Sequence, residues 1–262
     1  MSETGLRLDR EGAVVTLVLS RPRRRNAIDR ATWRNLGRMC AEIERDPEIR
    51  LVLVRGEGGT FSSGADIAEF AEVFADEAAA RAYNDMVQEA LGRLERLDRP
   101  TIAVIEGDCI GGGCGLAVAC DLRFATDKAR LGITPARLGL AYSLDDVRRL
   151  VALIGLARSK DLLFSARLLD APEAFRMGLV DRIVPQAELE DTVRNYARSL
   201  TALSGNSQLL IKAMLLRVAH GQTADDVESL ALRDGAIAHA DFGEGRRAFL
   251  ERRPPRFNAP NA

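Results

Sequence analysis

Residues Thr101–Asp121 read TIAVIEGDCIGGGCGLAVACD. The stretch opens as a short apolar strand, Thr101–Ile105, runs into Gly111, Gly112 and Gly113, and continues as the apolar segment Cys114–Cys120. Glycines let a backbone approach a ligand closely and take conformations that a Cβ forbids. A helix that follows points its unpaired N–H groups and its positive dipole end back at that spot. Such a place suits developing negative charge, on a phosphate or on an oxyanion. A tightly packed turn that binds nothing carries the same letters, so both readings stand at this point.

Working outward, Val14–Leu19 is rich in β-branched residues and reads as a strand. The loop Arg21–Arg25, RPRRR, carries four arginines and leads through Asn26–Asp29 into a helical pattern, Ala31–Arg45. Asp46–Pro47 stops that helix, because the residue before a proline avoids the α region. Leu51–Arg55 is a second, fully apolar strand, and this βαβ order predicts parallel pairing with a right-handed crossover. The small-residue loop Phe61–Ile67, FSSGADI, follows that strand. Ligands of α/β folds sit beyond the carboxyl ends of strands, so this loop and Gly111–Gly113 are expected to face one site.

Ala68–Phe74 and Ala78–Leu97 read as a short and a long helix, and Leu122–Ala125 and Ala129–Ile133 as short strands after the glycines. Ser143 with Asp146 three positions on marks an N-cap for a helix Leu144–Leu153, followed by helices Ala157–Phe164 and Ala171–Met177 and a strand Leu179–Val184. Leu189–Leu203, Ser207–His220, Ala224–His239 and Phe242–Glu251 show apolar residues at helical spacing. A boundary near Ala187–Thr201 therefore separates an α/β core from a helical tail of the kind that packs against a partner subunit.

Composition narrows the function. The 262 residues have a net charge of −1, which argues against a broad nucleic-acid-binding face. The helix Ala78–Leu97 offsets Arg81, Arg93 and Arg96 with Asp85, Glu89 and Glu95, which argues against RNA binding through that face. Cys40, Cys109, Cys114 and Cys120 show no CxxC spacing and read as small buried apolar residues in a reducing cytosol. No His/Cys/carboxylate cluster has metal-ligand spacing, and His220 and His239 both fall in the tail. The N-terminal MSETGLRLDR has no apolar signal core and no apolar run is long enough to cross a bilayer, so a cytoplasmic protein without membrane attachment is expected.

Six segments together resemble the crotonase superfamily, the enoyl-CoA hydratase/isomerase family: RPRRRNAI (Arg21–Ile28), FSSGADI (Phe61–Ile67), GDCIGGGCGLAVACDLRFA (Gly107–Ala125), GITPARLGL (Gly132–Leu140), DAPEAFRMGLVDRIVP (Asp170–Pro185) and EGRRAFLERRPPRF (Glu244–Phe257). The likeness runs from about Ala13 to Phe257. It implies an α/β spiral of ββα units, residues 1–195, and a C-terminal helical oligomerisation region, residues 196–262, that forms homotrimers or dimers of trimers. It also implies an acyl-CoA substrate and no separate cofactor, coenzyme A being part of the thioester. By resemblance the thioester oxygen lies between the backbone N–H groups of Ala65 and Gly112, which stabilise an enolate or tetrahedral oxyanion. Arg25, with Arg23, matches a basic position that meets the coenzyme phosphates, and Ala65, Asp66, Ile67 and Ala68 line the adenine and pantetheine path. Asp66 and Asp121 also match positions of a structural kind.

The sequence departs from the family where hydration is carried out. The two glutamates that add water in hydratases map onto Gly115 and Ala136, which cannot move a proton. Tyr142 stands where family members that decarboxylate acyl-CoA have a tyrosine, and it is either a group that orients a carboxylate for loss of CO₂ or a wall of the pocket. Asp145 and Asp146 are the nearest acids and the candidates for a catalytic role; Asp146 is better explained as the capping partner of Ser143, and Asp145 as a charge favoured in the first helical turn. Glu69 and Glu72 read first as solvated lid residues. The expectation is an acyl-CoA enzyme with doubtful two-glutamate hydration; the alternatives are a decarboxylase-like activity using Tyr142 and an inactive acyl-CoA-binding protein.

Overall fold

The computed structural model describes residues 5–257. In chain order it contains β1 (Leu6–Glu11), β2 (Val14–Leu19), α1 (Arg30–Glu44), β3 (Leu51–Gly56), α2 (Phe70–Val73), α3 (Glu77–Arg96), β4 (Thr101–Ile105), β5 (Asp108–Ile110) and α4 (Gly112–Val118). There follow β6 (Leu122–Thr126), β7 (Arg130–Gly132), α5 (Leu144–Ile154), α6 (Leu156–Ser165), β8 (Leu169–Asp170), α7 (Ala171–Met177) and β9 (Arg182–Val184). Four helices close the chain: α8 (Leu189–Thr201), α9 (Gly205–Ala219), α10 (Val227–Ala238) and α11 (Ala240–Leu250).

The main sheet runs β1-β2-β3-β4-β6-β9, antiparallel only at the β1–β2 hairpin. Parallel strands are covered on both faces, which is why Leu51–Val54 of β3 and Ile102–Ile105 of β4 read as unbroken apolar runs. Their side chains divide by the two-residue period of a strand. Val52, Val54, Ala103 and Ile105 join a large cluster with Trp33, Leu36, Cys40 and Ile43 of α1 and Leu91 and Leu94 of α3. Leu51, Ile102 and Val104 point the other way and pack with Leu189, Val193 and Ala197 of α8. α1 and α3 are fixed at their starts by Asp29 and Asp76, whose side chains accept from Thr32 N and Ala79 N.

A second small sheet, β5-β7-β8, stands beside the first and carries the glycine-rich segment. Sequence patterning missed β1, β5 and β8. β1 alternates apolar and charged residues in only one six-residue turn of sequence, and β5 and β8 have three and two residues, too few to show a period. α8 runs through the expected division between residues 195 and 196, and Val193 before it and Ala197 after it share one apolar cluster.

The tail is pinned to the sheet by one buried ammonium. Lys212 of α9, 7% exposed, donates to Arg99 O at 2.9 Å and to Asp121 Oδ2 at 2.8 Å. Asp121 also accepts from Thr101 N and Oγ1 at 2.7 and 3.0 Å, so it ties the first residue of β4 to the tail. Lys212→Ala leaves both acceptors short of a donor and is expected to cost about 2 kcal/mol of stability. A lowered urea midpoint checks this, and an unchanged midpoint contradicts it.

Candidate active site

Two loops from different strands are stitched together by main-chain bonds. Phe61 N donates to Glu106 O at 2.8 Å, Ser62 N to Asp108 O at 2.9 Å, and Ile110 N to Ser62 O at 2.9 Å. On its other side the FSSGADI loop is held to the arginine loop: Ile28 N donates to Gly64 O at 2.8 Å and Asp66 N to Ile28 O at 3.0 Å. Buried Asn26 completes the seam, its Nδ2 donating to Glu57 O and Thr60 O at 2.9 and 2.6 Å.

Between these bonds Ala65 N is left over: it donates to no backbone carbonyl among the described residues. Gly112 N is in the same position, being the first residue of α4, where N–H groups have no intrahelical partner. The two amides are neighbours. A Cβ placed on Gly112 would lie 3.4 Å from Ala65 N, and one placed on Gly64 would lie 3.3 Å from Gly112 N and 2.8 Å from Ile110 O. Gly64 and Gly111 have φ of 98° and 55°, in the left-handed region that side chains avoid.

Ala65 and Gly112 both line a cavity of about 320 Å³. Phe70, Phe74, Val87 and Leu91 give it an apolar wall, in which Phe74 packs edge-on against Phe70 and Tyr83 with ring centres 5.0 and 5.6 Å apart. Gly115 also lines it, and a Cβ there would meet nothing within 4 Å. Ala136 is exposed and does not reach it, although its neighbour Pro135 does.

Tyr142 is on the wall, but its hydroxyl is committed. It donates to Gly111 O at 2.8 Å, fixing the residue that caps α4. Burial pushes its pKa well above the ordinary phenol value, so the proton stays in place. Asp146 plays the expected capping part, its N–H donating to Ser143 Oγ at 3.1 Å. Asp146 also lines the cavity. Burial raises its carboxyl above its ordinary value, against hydrogen bonds from Ser143 and Gln88 and the charge of Arg149. Asp145, 59% exposed, pairs instead with Arg148. Glu69 and Glu72 pair with Arg30 and do not line the cavity. Tyr83, Asn84 and Gln88 are further polar lining groups that sequence reading missed. The signal was present in α3, where Asn84 and Gln88 run at four-residue spacing beside Tyr83, Val87 and Leu91.

The remaining expected residues lie outside this cavity. Arg23 lines a separate cleft with Arg7, Arg21 and Arg24, and neither Arg23 nor Arg24 makes an ion pair among the described residues. Arg25 pairs with Asp108, which also binds Arg130 at 2.7 Å, yet its side chain stays 59% exposed. Asp66 accepts from Ala68 N and pairs with Arg21 at 2.9 Å, a structural use of its carboxylate, while Ile67 and Ala68 are exposed. Cys40, Cys109, Cys114 and Cys120 are buried free thiols, and burial pushes Cys40 and Cys120 up to about 12. Among the described residues no group of three His, Cys, Asp or Glu could hold a metal, and no helix is long and apolar enough to cross a membrane.

Residues 9–260 match the enoyl-CoA hydratase/isomerase family. A short-chain-enoyl-CoA hydratase of Clostridium acetobutylicum is 32% identical over 251 residues, covering 94% of this chain and 94% of its own. A solved enoyl-CoA hydratase/carnithine racemase from Magnetospirillum magneticum matches with a TM-score of 0.94 and 31% identity, over 99% of this chain and 97% of its own. A Thermobifida fusca protein solved in complex with CoA matches with a TM-score of 0.80 and 32% identity, over 95% of each chain. The chain belongs to the enoyl-CoA hydratase/isomerase family and has the crotonase fold.

The Tyr142–Gly111 bond gives a first test of the site. Tyr142→Phe removes the hydroxyl donor to Gly111 O, which keeps only its bond from Gly115 N at 3.0 Å, and is expected to cost about 1 kcal/mol. Urea unfolding measures it, and an unchanged midpoint would mean the bond contributes nothing.

Proposed function

We propose that this protein processes an acyl-CoA thioester whose carbonyl oxygen sits between the amides of Ala65 and Gly112, which stabilise the enolate or oxyanion formed there. The observation that carries this reading is the pair itself: two adjacent N–H groups that, among the described residues, have no backbone acceptor and border one cavity. A negative oxygen is the partner such preorganised donors suit, and each is worth roughly 3 kcal/mol in enzymes that use them. The CoA complex of the Thermobifida fusca relative supports the substrate class. Arg25, whose carbonyl accepts from Ser63 N of the FSSGADI loop, and Arg23 of the same arginine loop supply charge for the diphosphate and 3′-phosphate, with Asp66, Ile67 and Ala68 along the adenine and pantetheine path. The exposed apolar residues Ile211, Leu215, Val218 and Ile237 of the tail suit burial in a trimer or a dimer of trimers.

Two-glutamate hydration has no support in the residues present, since Gly115 leaves open space in the cavity and Ala136 stands outside it. Decarboxylation through Tyr142 would require its hydroxyl proton, which Gly111 already accepts. That bond favours a positioning role for Tyr142 and an enolate reaction driven by another group.

Gly112→Ala tests the amide pair without disturbing the fold, because its methyl would meet Ala65 N and the Trp33 ring at 3.4 Å and alanine suits a helix better than glycine. The variant is expected to unfold at the wild-type urea midpoint and to lose acyl-CoA turnover by about 10²-fold. Retained turnover contradicts the proposal. Incubation with crotonyl-CoA is expected to give only weak hydration; vigorous hydration would mean that water is activated without the two glutamates.

A further inference from the structure

Among the described lining residues of the cavity, Asp146 is the one carboxylate. Its side chain is 13% exposed, and its two oxygens are treated differently. Oδ2 accepts from Ser143 Oγ at 2.8 Å and from Gln88 Nε2 at 2.8 Å. Oδ1 has only a long contact, 3.4 Å, to Arg149 Nη1. The orientation of Gln88 is fixed by the far end of the same chain of bonds, because its Oε1 accepts from Arg149 Nη1 at 3.1 Å. The amide must therefore present its N–H to Asp146. Arg149 in turn is engaged by Glu95 at 2.9 Å, and Glu95 also binds Arg148 at 2.8 Å. A carboxylate serving only the cap of α5 needs none of this, since the cap bond is made by the backbone N–H of Asp146.

We propose that Asp146 is the base that removes and returns the proton at C2 of the bound acyl group. The inference rests on the thioester reading above. In the forward step the C2–H bond breaks and the proton passes to Asp146 Oδ1. The electron pair of that bond forms the C1–C2 double bond, and the carbonyl π pair moves onto the thioester oxygen, where Ala65 N and Gly112 N hold it. In the reverse step Asp146 gives a proton back to C2 and the thioester is restored. No redox partner or co-reactant is needed. Gln88 and Ser143 hold Oδ2, so Oδ1, with only its 3.4 Å contact to Arg149, is the less committed oxygen and the one assigned to the proton. The side chain thus supplies proton transfer that Gly115 and Ala136 cannot.

Solvent exchange isolates this step from whatever reaction follows it. Butyryl-CoA incubated with the protein in D₂O is expected to gain deuterium at C2, read by mass spectrometry, with calorimetry on the same samples reporting binding. Asp146→Asn keeps the shape and the backbone cap; it is expected to bind butyryl-CoA and to exchange at least about 100-fold more slowly. Asp145→Asn, on the exposed neighbour, is expected to exchange at the wild-type rate. Asp146→Glu and Asp146→Gln share one side-chain length, so their ratio reads the carboxylate alone even if both are less stable; the Glu variant is expected to be at least about tenfold faster. Equal exchange by wild type and Asp146→Asn, or by the Glu and Gln pair, overturns the assignment and leaves the thioester reading standing. So does wild-type protein that binds butyryl-CoA but exchanges no faster than buffer. Wild-type protein that does not bind butyryl-CoA overturns both.

Discussion

The site depends on a short main-chain bridge in which Ser62 takes a strand-like place beside Cys109. Ser62 N and O bond to Asp108 O and Ile110 N, each at 2.9 Å, and bind the loop after β3 to the segment after β4. These bonds involve no side chain, so they tolerate sequence change while fixing position. Small residues keep the seam closed: a Cβ on Gly113 would fall 2.6 Å from Ser62 Cβ, and one on Gly64 would strike the carbonyl of Ile110. Ala65 and Gly112 become neighbours as a consequence of this bridge, although 46 intervening residues separate them in the chain.

The cavity built around that pair is apolar for most of its wall and polar at a few chosen points. An apolar wall lowers the local dielectric and strengthens whatever the two amides hold. The same wall raises the cost of an ionised group, which is why Asp146 is accompanied by Ser143 and Gln88 and backed by the Arg149–Glu95 pair. Tyr142 stands between the two halves, bracing the carbonyl of the capping glycine. Under the proposals above, substrate activation belongs to the β-segments and their loops, and proton transfer to the face shared by α3 and α5.

Much of this was legible in the sequence, for identifiable reasons. Apolar runs and helical spacing predicted β2, β3, β4, β6 and the helices to within a few residues, and Ala171–Met177 matched at both ends. The two small-residue loops announced a shared site because glycine and alanine were the side chains that close approach allows. The part that was not legible depends on tertiary approach. Asp146 carried a capping signature at its backbone, which concealed the direction of its carboxylate. Lys212 drew no notice in the sequence, because its role depends on α9 bringing it over Asp121. Arg25 read, by resemblance, as a cation for the coenzyme phosphates; its ion pair with Asp108 depends on where β5 packs.

The most direct measurement is the infrared stretch of a ¹³C-labelled thioester carbonyl in butyryl-CoA bound to the wild-type protein. Two amides donating to that oxygen polarise the bond, so the stretch is expected at lower frequency in the complex than in water. A stretch unchanged from that in water, in a complex shown by calorimetry to be saturated, would contradict a carbonyl held between Ala65 and Gly112.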